Sequence, residues 1–88
     1  MVRGLSSCFA KDDVPYVPKH RRVLGENIRL CRKRSGYSQE KLAEKADLNT
    51  TYLSDVERGR ENISVDALMR ISSALKVSVL ALFRGVGF

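Results

Sequence analysis

Asn49, Thr50, Thr51, Ser54 and Asp55 place short polar side chains close together in one part of the chain. Hydroxyl, carboxamide and carboxylate groups of this reach form the donor and acceptor pairs that base edges offer. Between them lie Leu53 and Val56, three residues apart. They give one apolar side to a helix expected over residues 50–58 and leave the polar residues facing outward at its start. A helix of this kind fits the major groove of B-DNA. Asp55 has two readings. It can accept from a cytosine amino group, or it can pair with Arg58 three residues on.

Other chemistries find no constellation. His20 is the single histidine and has no nucleophile pattern beside it. Neither Cys8 nor Cys31 stands at metal-ligand spacing from it, and there is no glycine-rich phosphate loop. The sequence therefore predicts no enzyme, no metal and no cofactor.

The polar helix must be held by others. Ser38 is a good N-cap, Glu40 favours the first turn of a second helix, and Leu42, Ala43 and Ala46 form its inward face. Asp47 marks a turn, Leu48 follows as an apolar plug, and Asn49 or Thr50 caps the third helix. Before these, Leu24, Ile28 and Cys31 at i, i+4 and i+7 predict a first helix over residues 22–35, ended by Gly36. Arg32 lies beside that face, so a buried position there requires a partner. After a polar loop, Ser64 caps a fourth helix whose core face is read as Val65, Leu68, Ile71, Ala74 and Leu75. Ser78 caps a short fifth helix over residues 79–83, apolar all round and too short to span a bilayer. Gly59 closes the third helix.

Length and charge agree with this plan. The 88 residues suit one small domain, for which a dimer contact adds stability. Lysine and arginine exceed aspartate and glutamate to give a net charge of +6. Nucleic acid is the first anionic partner such a balance suggests; a membrane surface is the second, and solubility alone is the bland alternative. Free thiols fit a reducing cytoplasm, and no long apolar run suggests a signal peptide. Residues 1–21 are read as an irregular extension, broken by Pro15 and Pro18 and ending in Lys19, His20 and Arg21. It is either a loosely packed leader or a basic arm that follows DNA. Residues 22–84 form the domain and 85–88 a tail.

Several of these features coincide with one family. Ser38-Gln39, Leu42-Ala43, Ala46, Leu48, Leu53 and Val56 stand in its register. So do Glu57-Arg58-Gly59-Arg60, Asn62-Ile63-Ser64, the run from Ser73 to Ser78, and Leu82-Phe83. From Arg22 to Phe83 the chain resembles the helix-turn-helix domain of the phage repressor/Cro (XRE) family. Asp47 and Lys76 depart from it, each standing where glycine is common.

The resemblance implies an all-α, five-helix fold with the helix-turn-helix formed by helices 2 and 3. It implies a sequence-specific regulator of transcription, acting as a homodimer on a roughly palindromic double-stranded DNA site. Thr50, Thr51, Asp55 and Ser54 match positions that read bases. Gln39, Asn49, Tyr52, Arg58, Arg60, Asn62 and Ser64 match positions on the DNA backbone. Arg32 and Glu57 match an ion pair joining helices 1 and 3. Val79, Leu80 and Phe83 are the expected dimer contact. The alternative is an antitoxin or another protein-interaction module on the same fold, with a toxin as partner.

Overall fold

A computed structural model describes residues 18–86. Those residues form α1 (Lys19–Arg34), α2 (Gln39–Ala46), α3 (Thr50–Glu57), α4 (Val65–Leu75) and α5 (Val79–Leu82), with no strand among them. The five-helix all-α architecture is the one expected.

The helix starts follow from local hydrogen bonding. Ser38 Oγ accepts from the Lys41 amide, Asn49 Oδ1 from the Thr51 and Tyr52 amides, Ser64 Oγ from the Ala67 amide, and Ser78 Oγ from the Leu80 amide. Each satisfies amides that the first helical turn leaves unpaired. The helix ends share one device. Gly36, Asp47, Gly59 and Lys76 all adopt positive φ. The next residue's amide then bonds back five residues, as Tyr37 does to Arg32, Leu48 to Ala43, Arg60 to Asp55 and Val77 to Ser72. Asp47 and Lys76 hold this geometry at φ 57° and 58° without being glycine.

The first helix begins three residues earlier than its apolar periodicity indicates. Pro18 precedes it with φ −59°, and the Pro18 carbonyl accepts from the Arg21 and Arg22 amides. Proline is tolerated at this N-cap because its missing amide has no helical partner to lose, but the turn it opens is charged and carries no hydrophobic signal. The basic residues from Lys19 to Arg22 therefore stand on the first turn of α1 and not in an extension. Residues 1–17, with the leader or arm expected there, lie outside the described residues, as do 87 and 88.

The core is built where the helices meet. Ile28 from α1, Leu42 from α2, Leu53 from α3, Ile71 from α4 and Leu82 from α5 are fully buried. Helix α3 packs on α1 and α2, α2 also packs on α4, and α5 closes against α1 and α4. Asn27 of α1 fixes that closure: its Nδ2 donates to the Leu82 carbonyl at 2.8 Å and the Arg84 carbonyl at 2.7 Å. These are orphan acceptors at the end of α5. Val65 departs from the reading of α4, being 73% exposed, while Ala67 takes a buried place. The first helical residue after a cap lies at the rim, outside the stripe that Leu68, Ile71 and Leu75 fill.

Candidate nucleic-acid interface

The residues at the start of α3 are presented together. Asn49 and Thr51 are exposed, and Thr50, Ser54 and Asp55 are half-buried, while Leu53 and Val56 face the core. The Asn49 carbonyl oxygen is committed to capping, so its side-chain amide remains as donor. Among the described ion pairs none joins Asp55 to Arg58, so the carboxylate of Asp55 is not tied up by that neighbour.

A buried polar cluster holds the other end of α3. Arg32 Nε donates to Glu57 Oε2 at 2.7 Å and Arg32 Nη2 to Glu57 Oε1 at 3.1 Å. Arg32 Nη1 donates to the Tyr37 carbonyl at 2.9 Å. Gln39 Nε2 donates to the same Glu57 Oε1 at 2.9 Å. Arg32 and Glu57 retain only 8% and 7% exposure. The fork of the guanidinium matches the carboxylate, and the remaining donors and acceptors find partners, which is the condition for a buried ion pair to be tolerated. The cluster ties α1, the turn after it, the start of α2 and the end of α3 into one unit. Gln39 thus braces the end of α3 through its amide, with its carbonyl oxygen left over.

The loop after α3 places its polar residues on the surface. Arg58, Arg60 and Asn62 are exposed. Tyr52 is half-buried, and its hydroxyl accepts from the Ser64 amide at 3.3 Å. Ser64 caps α4 with its hydroxyl. Its amide and hydroxyl are both engaged within the protein, so a phosphate there would have to meet other groups at the start of α4. The role of Tyr52 in steadying this loop carries no local sequence signal, because the two residues lie on different elements.

At α5 and its C-cap Phe83 the expected dimer residues separate. Leu80 is 79% exposed and Phe83 38% exposed, but Val79 packs against the core. His20 lines an apolar cleft of about 200 Å³ between α1, the α3–α4 loop and Phe83. No serine, threonine or cysteine is among the residues lining it.

Two short helices joined through Asp47, Leu48 and Asn49, the second seated on the first and polar at its exposed start, define a helix-turn-helix. The family model described as Helix-turn-helix matches residues 28–82. Control protein C.BamHI of Bacillus amyloliquefaciens is 48% identical over 58 residues, 65% of this chain and 72% of that protein. The crystal structure of the restriction-modification controller protein C.AhdI from Aeromonas hydrophila superposes with a TM-score of 0.69. It is 34% identical and the match covers 70% of this chain and 94% of that one. The structure of SinR in complex with DNA, a master regulator for biofilm formation, gives a TM-score of 0.65 at 43% identity over 67% of this chain and 95% of that one. Of full-length SinR from Bacillus subtilis the match covers 52%. The chain belongs to the helix-turn-helix family of XRE type, a family of transcriptional regulators.

Proposed function

We propose that this regulator binds a roughly palindromic DNA site as a homodimer, with one α3 in each of two successive major grooves. The carrying observation is the polar start of α3 on a helix whose other end is held by the buried Arg32–Glu57 pair with the half-buried Gln39. A side chain reads a base only if the helix that bears it is fixed, and the cluster fixes it. In this reading Thr50 and Thr51 contact base edges, with Ser54 and Asp55 beside them. Gln39, through its carbonyl oxygen or backbone amide, and Arg58, Arg60 and Asn62 lie along the phosphates and set the register without choosing sequence. Asn49 and Tyr52 border that patch, and the start of α4 near Ser64 supplies further amides. The protein acts in the cytoplasm, where its DNA is. The likeness to C.BamHI and C.AhdI supports a controller of the restriction–modification kind.

Selection of bound sites from random duplex DNA tests this directly. Recovery of an inverted repeat is the expected result. Absence of any enriched sequence at moderate salt would sink the reading and favour the antitoxin or interaction module, with a toxin as its partner. Replacing Thr50 and Thr51 together by alanine should abolish site preference while leaving most nonspecific affinity, which gel-shift titration against both duplexes measures.

A further inference from the structure

Helices α1 and α3 meet at Gly25. A Cβ built on Gly25 would lie 2.4 Å from the Val56 carbonyl oxygen, 2.6 Å from the Glu57 carbonyl oxygen and 2.9 Å from the Glu57 carbonyl carbon. All three are backbone atoms and cannot swing aside as a side-chain end can. Ordinary contact begins at 3.4 Å, so any side chain at this position opens the crossing by about 1 Å.

Val56 and Glu57 are the last two residues of α3. Arg32, two turns along α1 from Gly25, grips the Glu57 carboxylate at the same end. Helix α1 therefore holds the end of α3 twice, by its backbone at Gly25 and by a side chain at Arg32. We infer that Gly25 is a positioning residue for DNA recognition: its missing side chain sets where α3 stands relative to α2. The inference rests on the reading that Thr50 and Thr51 contact bases. Helix α3 has eight residues and is about 12 Å long, short enough to move as a rigid rod. A displacement of its end is passed to Thr50 and Thr51 at its start. The atoms crowded at Gly25 belong to α3 alone. Phosphate contacts carried by α2 and by the start of α4 are displaced less than base contacts carried by α3, whereas Arg58, next to Glu57, moves with the helix. Sequence choice is then lost before general affinity.

The test compares Gly25→Ala with its parent, both carrying Lys76→Gly to add stability away from the crossing. Ile28→Val serves as a packing control in the same background. Circular dichroism establishes folding, and titrations at one salt concentration give the ratio of affinities for the selected site and an unrelated duplex. Gly25→Ala should stay helical and lose about tenfold or more of that ratio, the scale of one or two misread base pairs. Ile28→Val should lower the melting temperature and leave the ratio unchanged. An unchanged ratio in folded Gly25→Ala overturns the inference. So does an equal loss in Ile28→Val, or failure of Gly25→Ala to fold even in the cold, since glycine would then serve the fold alone. If the parent itself shows no preference between duplexes, the base-contact reading fails first and this inference falls with it.

Discussion

Glu57 carries more of the site than its place at the end of a helix suggests. It accepts from Arg32 twice and from Gln39 once while almost wholly buried. Replacing it by alanine leaves the Arg32 guanidinium buried with only the Tyr37 carbonyl as partner. The expected loss is about 3–5 kcal/mol of folding free energy, read from urea denaturation. Gln39→Ala removes one neutral-donor bond to the same carboxylate and should cost about 1–2 kcal/mol. An equal effect of the two substitutions would show that the ion pair is not the main element of the cluster. A lone arginine beside an apolar stripe already signals the need for a partner. The family resemblance names Glu57 as that partner; that Gln39 bonds the same carboxylate depends on how α1, α2 and α3 cross.

The turns show where this chain stores strain. Four helices end in the same left-handed motif, and two of those positions are not glycine. A non-glycine residue in that region costs about 1–2 kcal/mol. Aspartate tolerates it better than lysine, because its short side chain can bond locally. Lys76→Gly should therefore stabilise the domain by about 0.5–1 kcal/mol after allowing for the greater freedom of glycine in the unfolded chain. That corresponds to a rise of about 2–8 °C in melting temperature for a domain of this size. Asp47→Gly should gain less. A fall in melting temperature for Lys76→Gly would mean that the lysine side chain makes a contribution its exposed position does not reveal. Both strained turns are readable from the family resemblance, since glycine is the residue expected there.

Assembly is the property the isolated chain leaves most open. Leu80 of α5 and Phe83, which caps it, leave apolar side chains exposed at this end of the domain. A second copy covering them would set two α3 helices apart as a two-fold site requires. Leu80→Asp should give a monomer in sedimentation, with weaker binding to a full inverted repeat and little change on a single half-site. Persistence of the wild-type mass would place the interface elsewhere. Val79 contributes to folding rather than to that surface, because it turns inward onto the core.

What the amino-acid order alone determines here is local. Ser38, Asn49, Ser64 and Ser78 start helices because their side chains reach amides two or three residues on, and the turns end them through bonds five residues back. The polar start and apolar side of α3 follow from spacing within a single helix. Contacts between distant parts of the chain are another matter. Asn27 meets the carbonyls of Leu82 and Arg84, Gln39 meets Glu57, and Gly25 meets the backbone of Val56. Val65 faces outward although its spacing puts it on the core face of α4, and Val79 packs on the core although it is expected at the dimer contact. Periodicity states which side of a helix is apolar, but crossing position and depth are set by the joint packing of all five helices. Only the folded core decides how closely α1 approaches α3, and that approach places the residues that would meet DNA.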